Sequence, residues 1–314
     1  MSLLKKTTVS ALALTLTTGA ALADAHAECG TVTFSDVGWT DITATTAATT
    51  TVLEALGYET EIRVLSVPVT YTSLAEGDVD IFLGNWMPTM EADIAPYRDA
   101  GTVDTVRANL EGAKYTLATN AAGAALGITD FGSIANFVDE LNGEIYGIEP
   151  GNDGNRLIMD MIEADAFGLS EFEVVESSEQ GMLAQVERQT DRDQPIVFLG
   201  WEPHPMNANF ELTYLEGGDD WFGPNLGGAT VFTNTSAGYA EACPNVGALL
   251  ANLEFSLAME NEIMGAILND GEDPADAATA WMAANPEAVM AWLDGVTTID
   301  GGDAAAAVGE ALGL

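Results

Sequence analysis

Three times along this chain a strand-like run ends on a tryptophan set among turn residues. The stretches are Gly38-Trp39-Thr40-Asp41, Gly84-Asn85-Trp86-Met87-Pro88 and Gly200-Trp201-Glu202-Pro203. A core tryptophan belongs in a helix stripe or inside a strand. One placed on the turn after a strand, beside Gly and Pro, is held at the mouth of a sheet. Open α/β sheets bind their ligands at the carboxyl ends of their strands. The feature therefore calls for a fold in which several strand ends open on one cleft. Three indoles there suit a small organic cation, because a ring face carries negative quadrupole potential.

The remaining sequence supplies such a fold. Short β-rich runs alternate with helical stretches, the pattern of an α/β protein. Thr31–Asp36 reads as a first strand and 43–56 as a helix with Ala44, Ala47, Ala48, Val52 and Leu56 on its apolar face. A strand over 61–65, a short helix over 71–76 and a buried strand over 79–83 complete a β-α-β-α-β unit. A second set starts with a strand over 114–119, then a helix over 131–141 and a strand over 144–148. A glycine-rich loop over 151–155 leads into a helix over 156–166, followed by the strand Glu173–Val175 and a helix over 179–189. A strand over 195–199 then delivers Trp201. From 207 the chain is Gly-rich and looser, then helical over 244–258, 260–269, 274–285 and 286–293. The Ala- and Gly-rich end, 301–314, reads as a frayed helix or a mobile tail. About 285 residues exceed the usual size of one core. Two α/β lobes are expected, 28–112 plus 209–314 and 113–208, with a ligand cleft between them. Trp39 and Trp86 fall on one lobe and Trp201 on the other.

Charge and targeting narrow the function. Lys5 and Lys6, an apolar run over 9–23 and small-x-small sites at Ala23 and Ala27 read as an export signal over 1–27. That run is too short for a membrane span, so a soluble, periplasmic protein is expected. Removing 1–27 takes the 9 basic and 49 acidic residues to 7 and 48, a net charge of −41. Such a charge excludes nucleic acid and anionic membrane as partners, since both need basic patches. It favours cationic or neutral ligands, although adaptation to a salty medium accounts for most of it. Cys29 and Cys243 form an even pair that an oxidising compartment would join.

Enzyme chemistry finds little support. His204 is the one histidine certain to survive export, so neither a His-based metal cluster nor a triad can be built. Asn152-Asp153-Gly154-Asn155 lacks the ligand spacing and terminal Glu of a calcium loop. No cofactor or metal is expected. A secreted hydrolase using a carboxylate pair stays as a second reading, because so acidic a chain offers many pairs.

An aromatic cage has a specific chemistry. A quaternary ammonium has no N–H to donate, and its charge is spread over methyl groups. Ring faces offer apolar contact and an attractive field worth about 0.5–2 kcal/mol each. The three tryptophan stretches, taken with Lys114-Tyr115, Gly147-Ile148-Glu149-Pro150-Gly151-Asn152 and Gly200-Trp201-Glu202-Pro203-His204, resemble the choline-binding proteins of bacterial ABC importers. These belong to the glycine-betaine/choline/proline-betaine group of periplasmic receptors, and the resemblance covers essentially the whole mature chain. It implies a two-lobe periplasmic binding protein fold, expected here as a monomer, that closes over its ligand and docks on a membrane permease. It implies a box of Trp39, Trp86, Tyr115 and Trp201 around the trimethylammonium group, with Asp41 beside it. It implies Asn152 at the hydroxyl end of choline and a disulfide between Cys29 and Cys243. The residues alone leave alternatives: Asp41 fits a helix cap, and Asn152 fits a turn. Trp221, in a Gly-rich loop, and Trp281 and Trp292, in helices, read as packing. Betaines carry a carboxylate that Asp41 would repel, so choline leads. Glycine betaine, trimethylamine N-oxide and dimethylsulfoniopropionate remain open.

Overall fold

The computed structural model describes residues 29–314, so the export signal read over 1–27 lies outside the described residues. Its strands are β1 (Thr31–Asp36), β2 (Glu59–Val64), β3 (Ile81–Met87), β4 (Val103–Asn120), β5 (Glu144–Tyr146), β6 (Glu173–Val175), β7 (Val197–Glu202), β8 (Leu212–Tyr214) and β9 (Gly228–Ser236). They form one sheet in the order β2-β1-β3-β9-β4-β7-β5-β6, with β8 beside β4. Its two ends are parallel: β1 runs with β2 and β3, and β5 with β6 and β7. The middle is antiparallel, with β9 between β3 and β4, and β4 against β7. Each parallel end is thus an α/β unit whose strand ends face a common centre.

The helices flanking the first end are α1 (Thr40–Ala55), α2 (Val67–Glu76) and α3 (Glu91–Ala100); those of the second are α4 (Asp153–Glu163) and α5 (Glu179–Thr190). The chain closes with α6 (Pro244–Asn252), α7 (Leu257–Asn269), α8 (Pro274–Ala284), α9 (Pro286–Trp292) and α10 (Ala304–Leu312). Helix α1 is buried on nearly every side, between the sheet and the closing helices α7, α8 and α10. Small Ala and Thr side chains permit that close packing. The buried threonines stay hydrogen-bonded by donating to carbonyls one turn back, as Thr49 does to Thr45 at 2.8 Å. The Cys29–Cys243 disulfide is present and ties the entry to β1 to the start of α6 across 214 residues.

Several expectations need correction. Trp86 and Trp201 lie in the last turns of hydrogen bonding of β3 and β7, not on the turns beyond them. Residues 228–236, read as loose, form a central strand, and β4 starts eleven residues before the 114–119 run. The helix expected over 131–141 stops at Ile134 and continues as a short 3₁₀ turn. The helix expected over 244–258 breaks after Asn252, and Ser256 caps a separate helix. The tail is neither frayed nor loose: Ala304, Val308 and Leu312 are buried and α10 packs on α1 and α8. Trp221 belongs to a short helix, Asp219–Phe222.

Candidate functional site

Four aromatic side chains meet where the two parallel ends of the sheet converge. Trp39 caps α1 after β1, Trp86 ends β3, Tyr115 lies mid-β4 and Trp201 ends β7. Tyr115 and Trp201 are directly opposed in the β4–β7 register. The Tyr115 ring meets Trp86 edge-on at 6.1 Å, Trp201 at 6.2 Å and Phe222 at 5.9 Å. The four cage rings are 4–6% exposed. They line a small pocket, whose remaining lining is Asp41, Ile148, Asn152 and Asp153. All six residues singled out from the sequence therefore converge on one cavity.

Backbone geometry at two glycines makes room for Tyr115. A Cβ on Gly154 would fall 2.1 Å from the tyrosine hydroxyl oxygen, and one on Gly227, at φ +70°, would collide with the Tyr115 carbonyl. Only glycine lets the α4 N-terminus and the β9 entry approach the ring so closely.

The indoles are held by carboxylates. Trp39 Nε1 donates to Glu149 at 2.8 Å and Trp86 Nε1 to Asp41 Oδ2 at 3.1 Å. Asp41 makes no capping bond, which corrects the cap alternative; it belongs to the first turn of α1. The carboxylate that shapes the helix entry is Asp36, which accepts from Gly38 N–H and the Thr43 hydroxyl, both at 2.7 Å. Asn152 does serve as the cap of α4. Its Oδ1 accepts from the Tyr115 hydroxyl at 2.8 Å and from Asn155 N–H at 3.0 Å. Its amide donates to Asp153 Oδ1 at 3.2 Å.

Asp153 was not singled out from the sequence beyond its place in a rejected calcium loop, yet it lines the cavity and is fully buried. Asp41 and Asp153 thus form a pair. Each sits in the first turn of a helix that follows a parallel strand, one per end of the sheet. Each keeps one oxygen, Asp41 Oδ1 and Asp153 Oδ2, without a hydrogen-bond partner among the described residues. Burial pushes Asp41 up to about 8, reinforced by the charge of Glu179. Burial also pushes Asp153 up to about 7 despite the nearby Thr89 hydroxyl, with Asp93 raising it further and Arg156 opposing. A buried acceptor left open costs free energy unless something donates to it or neutralises it. Among the described residues no group of His, Cys, Asp and Glu is arranged to hold a metal.

Comparison with known proteins agrees with this geometry. Residues 30–284 match the family described as the substrate-binding domain of ABC-type glycine betaine transport systems. A choline-binding protein of an ABC transporter, solved in complex with choline, is 72% identical, with a TM-score of 0.90 over 91% of this chain and 99% of that one. An ABC-transporter choline-binding protein in an unliganded semi-closed conformation, also 72% identical, gives 0.84 over 91% of this chain and 100% of that one. A glycine betaine/carnitine transport binding protein of Listeria monocytogenes is 28% identical over 163 residues, which span 52% of this chain and 53% of that protein. The chain belongs to the substrate-binding proteins of the ABC-type glycine betaine transport family.

Proposed function

We propose that this chain is the extracytoplasmic receptor of an ABC importer and that its ligand is choline. The observation that carries the reading is the cavity itself: four ring faces and two carboxyls with open oxygens around one small space. A trimethylammonium group fills it by apolar contact and cation–π attraction. Asp41, hydrogen-bonded to the Trp86 indole, is the counter-charge. At the other end the choline hydroxyl donates to Asp153 Oδ2 and accepts the remaining Asn152 amide hydrogen. A betaine carboxylate at that end would face Asp153 and be repelled. The 72% identity to a protein solved with choline supports the same ligand.

The receptor reading divides the chain into two lobes that close on the ligand by shifting a pre-existing equilibrium, with the second boundary, expected at 208/209, moved to 227/228. We place the crossings at Ala113–Lys114, where β4 leaves β9 for β7, and at Gly227–Gly228, where β9 begins. β8 and Phe222 pack on the second lobe, which puts the return crossing after them. The closed form is delivered to a membrane permease, and the ligand is released unchanged. Tryptophan fluorescence during choline titration tests the reading. A saturable change, with intact choline recovered afterwards, is expected. No response to any methylated onium compound would refute it, and turnover of a glycoside or ester would favour the hydrolase.

A further inference from the structure

We infer that Glu179 is a positioning residue for ligand capture: its carboxylate latches the Trp39–Asp41 wall to the Trp201 wall. Glu179 opens α5 in the second lobe and is 1% exposed. Its Oε2 accepts the Thr40 N–H at 2.8 Å, and its Oε1 accepts the Thr40 hydroxyl at 2.6 Å. Thr40 lies between two cavity residues, Trp39 and Asp41, at the start of α1 in the first lobe. Oε1 also contacts His204 Nε2 at 3.2 Å. The state of that imidazole follows from its other nitrogen. Nδ1 accepts the Met206 N–H at 2.9 Å, so it carries no proton, and Nε2 must be the protonated nitrogen that donates to Glu179. The His204 ring stands edge-on to Trp201, with centroids 4.9 Å apart. One carboxylate therefore holds the immediate supports of both walls.

These bonds differ in kind from those inside a lobe. Thr40 and Glu179 are 139 residues apart, on helices whose strands lie at opposite ends of the sheet. A buried carboxylate is costly unless donors compensate it. Here two of its three donors come from the other lobe, so the compensation exists only while the lobes are together. Apart, Glu179 is hydrated and the first N–H of α1 is open to water. Other bonds also join the lobes: Trp39 donates to Glu149 at 2.8 Å, and in the opposite sense Arg156 donates to Asp93 at 2.6 Å and to Thr89 O at 3.3 Å. Glu179 alone touches the supports of both walls. Because its partners flank the cage residues, closing the latch and aligning the cage are one event. Ligand bound in the cage then favours the latched state, and the latched state retains the ligand.

The inference rests on the two-lobe receptor reading, so its test includes a measurement that needs no ligand. Spin labels at Glu76→Cys and Glu163→Cys, one exposed position per lobe, report the inter-lobe distance in the ligand-free protein. Glu179→Gln is expected to shrink the short-distance population, and Thr40→Val to shrink it less. Glu179→Gln should weaken choline binding about tenfold, almost all as faster release, since ligand enters while the lobes are apart and the latch then retains it. The two substitutions together should cost less than the product of their separate effects. The ligand-free melting temperature should hardly move. An unchanged distance distribution would overturn the latch, as would a tenfold loss of affinity that is strictly multiplicative in the double variant. A large drop in ligand-free melting temperature with normal choline affinity would make Glu179 a folding residue instead. Should Glu179→Gln not fold, Thr40→Val carries the same distance and release measurements alone. Failure of wild-type protein to bind choline would count against the ligand and leave the distance measurement to decide the latch.

Discussion

Asp41 and Asp153 occupy the same place on opposite walls and do different things. Both lie in the first turn of a helix entering from a parallel strand, where helix dipoles favour negative charge. Both are fully or almost fully buried with one open oxygen. Asp41, however, is tied to an indole and has acids around it: burial raises it and Glu179 adds to that, and burial likewise raises Glu260, with Asp41 adding to it. Asp153 is tied to an amide and has Arg156 nearby to offset Asp93. The first wall thus surrounds Asp41 with acids and no nearby cation, so an ammonium bound there would gain by drawing off the Asp41 proton. The second mixes donor and acceptor and suits a hydroxyl. On the proposed reading, matching positions at the two parallel ends of the sheet meet unlike ends of one asymmetric ligand.

The largest effects should come from removing one ring per wall. Trp86→Ala and Trp201→Ala should each weaken choline binding by about tenfold or more, as expected for lost desolvated cation–π contacts. Calorimetry giving wild-type affinity for both variants would remove the cage. A smaller loss separates the carboxyls. Asp41→Asn should weaken choline more than glycine betaine, whereas Asp153→Asn should weaken choline and strengthen glycine betaine by relieving repulsion. Identical changes for the two ligands in both variants would erase the contrast between the walls.

The pH dependence distinguishes the walls further. The bound cation favours the charged form of each carboxyl, so affinity should rise with pH and level off above about 8, where Asp41 is ionised without ligand. In Asp41→Asn the plateau should start near 7, set by Asp153. A profile flat between pH 6 and 9 would contradict both assignments. Stability of the ligand-free protein should run the other way. Both carboxyls hold their protons more tightly when folded than when unfolded, so their contribution is full below the ordinary value of 3.8 and is lost as pH rises from there through about 7 for Asp153 and about 8 for Asp41. Melting temperatures across that range, with and without choline, check the sign. The smallest effect on binding belongs to the disulfide, far from the cavity. Cys29→Ser should cost about 2–5 kcal/mol of stability while changing choline affinity by less than about twofold.

The sequence revealed the two parallel ends of the sheet and the cage far better than the middle. β1 and β6 are legible because short β-rich runs are bounded by turn residues. The cage is legible because tryptophan beside Gly and Pro is poorly suited to a core. The central strands were missed for a physical reason. β9 buries Thr233, Asn234 and Thr235 alongside Ala229 and Val231, and the start of β4 carries Arg107 and Asn109. Polar residues whose partners come from neighbouring strands look like loop until those strands are in place; Asn109, for one, donates to Leu83 O and Thr233 Oγ1. Asp153 and Glu179 were hidden by abundance, since a chain with 49 acids gives no local sign of which ones fold inward.

The central claim is that one cavity with unlike walls selects choline, and a calorimetric comparison of choline with glycine betaine at pH 8 tests it most directly. Single-site binding of choline, at least about tenfold tighter than betaine, is the expected result. Equal or tighter binding of glycine betaine would contradict it, because the second wall would then be accepting a carboxylate that Asp153 should reject.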